Sequence, residues 1–165
     1  MNKKFKYIFN NLFRSKNKLS FLASLSVKSS ILDVGCGSIL NAIDAKNILP
    51  NSNYTGIDVT DYNSKSPFFN KIDKYIISNK NNFSKKISSL DDNYFDAVIS
   101  CHNLEHCNYR LDVLKYMCKK IKKGGSIFLS FPSEKSVAFP SRNGTLNYFD
   151  DNTHLDLPPD PIKIM

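Results

Sequence analysis

Two periods of apolar residues share this chain. Short runs dense in Ile, Val, Leu, Phe and Tyr fall at about 30–35, 54–59, 74–78, 94–101 and 126–131, and they read as buried strands. Between them the spacing lengthens to that of helices. One helix is predicted over 39–48 and a more polar one over 82–90. In a third, Leu111, Leu114, Met117, Cys118 and Ile121 form the apolar face. Lys122-Lys123-Gly124-Gly125 stops that third helix, with cations and glycine where a C-terminus favours them. Pro50 with Asn51-Ser52-Asn53, Asp91-Asp92-Asn93 and Pro132 punctuate the pattern. Strands alternating with helices predict an α/β fold, Rossmann-like, with a parallel sheet of about five strands and helices on both faces. Phe21 to Val27 reads as the end of an earlier helix and a linker. From 133 to 160 the period is lost, and a loop that long is expected to serve a substrate or to be disordered.

The first strand ends in the most informative run of the chain, Ile31-Leu32-Asp33-Val34-Gly35-Cys36-Gly37. A buried strand breaks there into a helix through a turn whose glycines let backbone approach a ligand that a Cβ would repel. Gly35 and Gly37 match the first two positions of the dinucleotide fingerprint G-x-G-x-x-G/A. The third small position is Leu40, whose bulk spoils the close helix approach a pyrophosphate turn needs, so an NAD-type oxidoreductase fits poorly. Asp58 lies 21 residues beyond Gly37 at a strand end, placed to accept hydrogen bonds from ribose hydroxyls.

Composition narrows the class. A length of 165 residues fits one domain, and 41% hydrophobic residues supply a core. No apolar run is long enough for a membrane-spanning helix, and no secretory leader is evident. Cys36, Cys101, Cys107 and Cys118 form no C-x-x-C pair, so free thiols in a cytoplasmic protein are expected. The net charge of +8 sits almost wholly in residues 1–32, which carry seven basic groups and no acid. Residues 1–28 are therefore set apart as a basic amphipathic arm, and 29–165 as the domain proper. In the arm Phe5, Ile8, Phe9, Leu12 and Phe13 share one helical face. Such a helix packs on its own domain or lies on an anionic membrane surface, and nucleic acid is the less favoured partner.

Taken in order, Ile31 to Gly37, Asp58, Phe95-Asp96-Ala97-Val98, Leu104-Glu105-His106 and Lys123-Gly124-Gly125 resemble the motifs of class I S-adenosylmethionine-dependent methyltransferases. The resemblance spans about residues 20–160. The stretch 141–151 is similar to a bacterial subgroup found among surface-polysaccharide genes. The resemblance implies S-adenosylmethionine as cofactor and a small-molecule or glycan-linked acceptor. It implies that Asp33, Gly35, Cys36 and Gly37 surround the methionine part of the cofactor. Asp58 would hold the ribose, Val59 and Asn79 would lie beside the adenine, and Ser100 would line the methyl-transfer side.

A sulfonium methyl is already activated, so alignment is the main task. An oxygen nucleophile also gains from a general base, for which histidine is the natural residue. His102 and His106 follow the fourth strand, and His154 lies in the loop after the fifth. His154 and His102 are the candidate bases, and His106 is expected to start a helix. Glu105 with His106 is also a candidate pair of divalent-metal ligands, but no metal is expected. The family's further helix and antiparallel C-terminal strand pair are not found before Met165. A truncated or fragmentary polypeptide is therefore expected, or a short form whose sheet edge a partner subunit covers. A non-catalytic cofactor-binding or scaffold subunit is the alternative function. Nucleic-acid methylation is disfavoured by Ser100-Cys101-His102-Asn103, which is not an Asn/Asp-Pro-Pro-Tyr/Phe motif.

Overall fold

The computed structural model describes residues 17–142 and 147–160. The Phe5–Phe13 stripe lies outside the described residues. Five strands, β1 (Ser30–Val34), β2 (Asn53–Asp58), β3 (Lys74–Ile77), β4 (Phe95–Cys101) and β5 (Ile121–Ser130), form one sheet in the order β3-β2-β1-β4-β5. Every neighbouring pair is parallel. The helices are α1 (Lys18–Ser24), α2 (Leu40–Ile48), α3 (Phe83–Ser88) and α4 (Arg110–Lys120).

β1 lies at the centre and is buried from Ile31 to Val34, Asp33 included, because both its faces are covered. Leu32 and Val34 face a core shared with Ile57, Phe83, Ile87, Val98, Val113 and Met117, closed by α3 and α4. Ile31 faces the other core with Leu22, Ala23, Ala42, Ala45, Tyr54 and Ile99, closed by α1 and α2. α1 falls within the stretch expected to be the basic arm, yet it buries Leu22 and Ala23 in this second core. Asn17 caps it with a reciprocal capping box to Ser20, which stops the helix fraying at its start.

Element boundaries differ from the periodicity at two places. β5 starts at Ile121, directly after α4, because Phe95 pairs with Ile121 before Ala97 pairs with Ser126. The Lys122–Gly125 stretch thus bulges out of the edge strand, with Gly124 at φ +80°. Residues 133–160 also hold more order than a loop, with 3-10 turns at Glu134–Ala138 and Tyr148–Asp150.

One buried residue breaks the apolar rule. Lys120 ends α4 with almost no exposure, and its ammonium donates to the carbonyls of Ser88 (2.8 Å) and Leu90 (2.6 Å) and to Asp92 (2.5 Å). It pins the end of α4 to the turn between α3 and β4. Among the described residues no helix is long and apolar enough to cross a membrane.

Candidate functional site

In a parallel sheet whose order reverses between two strands, the crevice at their carboxyl ends is where ligands bind. Here the reversal lies between β1 and β4. The glycine turn closes β1 at that point. Gly35 and Gly37 have φ of +72° and +57°, which glycine adopts at least cost. The amide of Gly37 donates to Asp58 Oδ2 at 2.8 Å, and Asp58 Oδ1 accepts from Val59 and Thr60. Asp58 and the turn, 21 residues apart, are therefore one unit. Asn63, buried in the loop after β2, adds a donor to the Gly37 carbonyl at 2.8 Å. A carboxylate has about four acceptor sites, so Asp58, with three filled by amides, keeps one for a hydroxyl.

The two glycines do different work. A Cβ on Gly37 would meet nothing closer than 3.9 Å, which leaves its open side to a ligand. A Cβ on Gly35 would fall 2.4 Å from Cγ and 2.5 Å from Cβ of Asn103. The space a Cβ on Gly35 would need is thus filled by a side chain from beyond β4. Ser100 supports that side chain: its buried hydroxyl donates to the Val34 carbonyl (2.9 Å) and accepts from Asn103 (3.2 Å).

Asp33 is enclosed beneath the turn and accepts the Tyr54 hydroxyl at 2.6 Å. Burial pushes its carboxyl up to about 6 against the bond from Tyr54 and the charge of Lys18. The Cys36 thiol is turned inward onto Gly56, and both its backbone groups are bonded within the fold. Burial drives that thiol upward, and those of Cys101 and Cys107 up to about 11 and about 12, so none is a thiolate nucleophile at neutral pH. Asn79 caps the turn at Lys80–Asn82 by accepting from the Asn82 amide at 2.9 Å. Val59 lines a narrow cleft of about 50 Å³ with Lys80, Phe83, Asn103 and His106.

His102 closes β4 in the left-handed region, φ +49°, with its amide bonded to the Ser130 carbonyl. Its ring is largely exposed, and Nδ1 stands 3.3 Å from Oε1 of the buried Glu105. His106 does not start a helix. It ends the 3-10 turn Leu104–His106, and α4 begins four residues later. The chain after β5 folds back onto this turn. The Leu155 amide donates to the Glu105 carbonyl (2.7 Å), and Arg110 donates to the carbonyls of Leu155 (2.5 Å) and Leu157 (2.7 Å). His154 is thereby stacked on Tyr148 (centroids 4.3 Å apart) and set against His106 (4.8 Å). His154 also lines an open groove of about 970 Å³ with Tyr109, Leu111, Phe149 and Leu157. Composition alone could not have paired Asn103 with Gly35 or Glu105 with His154, since each contact spans about 50 residues or more of chain.

Residues 32–129 match the family described as "Methyltransferase domain". The ubiquinone biosynthesis O-methyltransferase of Dictyostelium discoideum mitochondria is 30% identical over 122 residues. That match takes in 68% of this chain and 38% of the relative, so the chain spans well under half the relative's length. Among solved structures, MccD protein aligns at a TM-score of 0.55 with 19% identity, over 73% of this chain and 57% of that one. The [4+2]-cyclase SpnF aligns at 0.50 with 19% identity, over 65% and 41%. At such identities the likeness concerns the fold, and a shared fold does not fix the reaction.

Proposed function

The chain belongs to the methyltransferase domain family, and on that premise we propose that it transfers a methyl group from S-adenosylmethionine to a small-molecule or glycan-linked acceptor. The observation that carries this reading is the bond from Gly37 to Asp58, which joins the glycine turn after β1 to the acid at the end of β2, beside the sheet's switch point. In this reading Asp58 accepts a ribose hydroxyl at its remaining site, and Gly37 gives the methionine part its close approach. Val59, Asn79 and Phe83 flank the adenine. Asp33, Gly35, Cys36 and Ser100 act by fixing the turn: Asp33 from beneath, Cys36 through its packing on Gly56, Gly35 and Ser100 through Asn103.

The acceptor's lone pair forms the new bond to the methyl carbon. The S–CH3 bond breaks with its electrons left on sulfur, giving S-adenosylhomocysteine. The acceptor proton passes to a base. His102 suits that role better than His154, because its ring is open to solvent and backed by a carboxylate. His154 has Nδ1 engaged by the Tyr148 carbonyl at 2.6 Å and its ring face covered by Tyr148. The relative's name points to an oxygen acceptor, and the apolar groove beside His154 suits a partly apolar one.

Isothermal titration of the folded chain with S-adenosylhomocysteine tests the cofactor half: saturable binding is expected, and its absence defeats the reading. His102→Gln is expected to lower kcat at least tenfold with cofactor affinity unchanged; equal kcat removes His102 as base. A cytoplasmic location and contact of the basic N-terminal stretch with anionic membrane surfaces belong to the same proposal. Co-sedimentation with phosphatidylserine vesicles, lost on deletion of residues 1–16, checks the latter.

A further inference from the structure

We propose that Glu105, His106 and His154 form a binding site for a divalent cation of the manganese-to-zinc series, at the seam between the cofactor cleft and the adjoining groove. The three side chains each offer a ligand atom, and those atoms all lie within 4.8 Å of one another. His106 lines the cleft and His154 lines the groove, so the site sits where cofactor and acceptor would meet.

Glu105 is fully enclosed, and among the described residues neither of its carboxylate oxygens has a hydrogen-bond partner. A buried carboxylate without donors is among the costliest arrangements in a protein interior unless a cation compensates it. His102 approaches Oε1 at 3.3 Å but without hydrogen-bond geometry, and its ring is largely in solvent.

Both imidazoles are held as metal ligands are held. The Thr153 hydroxyl has one proton and gives it to Asp151 Oδ1 at 2.6 Å. It can therefore only accept from His106 Nδ1, 3.0 Å away, which also faces the Thr153 carbonyl at 3.2 Å. His154 Nδ1 faces the Tyr148 carbonyl at 2.6 Å. Acceptors at both Nδ1 atoms put the protons there and leave the Nε2 atoms as ligand atoms, with Asp151 Oδ2 3.7 Å from that of His154. A carbonyl bonded to the far nitrogen is the usual support of a ligating histidine. Two imidazoles and one carboxylate suit borderline ions better than calcium or magnesium, and three protein ligands leave positions open.

The role of the ion rests on the methyl-transfer reading. An acceptor hydroxyl on an open position would give up its proton more readily, to His102 or to water. Its oxygen then takes the methyl group, and the cation is unchanged at the end.

The test is titration of the full chain, stripped with chelator, with cobalt(II), followed by visible absorption and calorimetry and then displaced by zinc. One equivalent is expected to bind with a ligand-field spectrum that includes nitrogen donors. His154→Gln and Glu105→Gln are each expected to weaken binding at least tenfold, whereas His102→Gln changes it less than threefold. His106→Gln serves as the carboxylate-sparing check if Glu105→Gln does not give a folded circular dichroism spectrum. No saturable binding, a thiolate-type spectrum, or binding indifferent to His154→Gln and His106→Gln overturns the site. Loss through His102→Gln alone would instead assign Glu105 to a simple ion pair. Cobalt uptake with no binding of S-adenosylhomocysteine would keep the cation site and defeat the methyl-transfer reading. The reverse result would defeat the cation site alone.

Discussion

At the scale of single residues, Gly35 and Gly37 show how one motif hides two requirements. Both take a left-handed backbone, which costs an L-residue about 1–2 kcal/mol. Only Gly35 is also pressed by a neighbour, at a point close to the root of the Asn103 side chain. Gly35→Ala is expected to cost clearly more stability than Gly37→Ala in chemical denaturation. Adding Asn103→Ala should return part of the Gly35→Ala loss and none of the Gly37→Ala loss. Additive effects at Gly35 and Asn103 would deny the contact.

Asp33 carries a pH signature. Its carboxyl is raised from 3.8 to about 6, so the folded state holds the proton more tightly than the unfolded chain. Its contribution is most favourable while protonated and is lost as pH rises from about 4 through about 6, by about 3 kcal/mol. Asp92 and Asp151, held down by bonds from Lys120 and Thr153, titrate below that window. The denaturation midpoint should therefore fall across pH 4–6, and Asp33→Asn should flatten that fall. A slope unchanged in the variant would contradict the assignment. Asp33 and Asp58 were legible as acids at strand ends. Their opposite settings, one enclosed and one bonded to three amides, were not, because burial depends on which helices close over each strand.

At the scale of elements, the strands were readable because a parallel sheet covered on both faces forces continuous apolar runs. Asp91-Asp92-Asn93 and Pro132 marked their ends. What the periodicity could not show was order held by polar bonds. The turn at Tyr148–Asp150 depends on Asn147, whose side chain caps it and donates to the carbonyls of Val137 and Phe139, and whose backbone amide bonds Asp150. Lys120 is the sharpest case: in a Lys-Lys-Ile-Lys-Lys run it looks like a solvated terminus, yet it is the one of the four lysines that is buried. Lys120→Met keeps the apolar stem and removes the three donors, stranding the Ser88 and Leu90 carbonyls. A loss of about 3 kcal/mol is expected. Lys119→Met, on the exposed side of α4, should shift stability by less than about 0.5 kcal/mol. Equal effects in urea denaturation would refute this division.

At the scale of the whole molecule, the order β3-β2-β1-β4-β5 divides the sheet between β1 and β4. Residues 30–77 build one side and 95–130 the other. Few bonds cross the seam besides the ladder from Ile31–Ala97 to Asp33–Ile99: the Ser30 amide to Asp96, and the Ser100 hydroxyl to Val34. A ligand at the glycine turn would bridge this seam, and saturating S-adenosylhomocysteine at 100 times its Kd is expected to add about 2.7 kcal/mol of stability. A thermal midpoint that did not move with ligand would show that binding, if present, is not confined to the folded form.

The same seam makes the chain a natural pair of halves. The polar turn at 91–93 is exposed, joins the two sides and carries none of the residues proposed to face the cofactor, so cutting there leaves the glycine turn with Asp58 on one piece and Asn103 with His102 on the other. Co-expressed as separate polypeptides, the pieces should reassemble weakly alone and firmly when S-adenosylhomocysteine splints them. A fluorescent reporter divided between them would then read out the spent cofactor in solution.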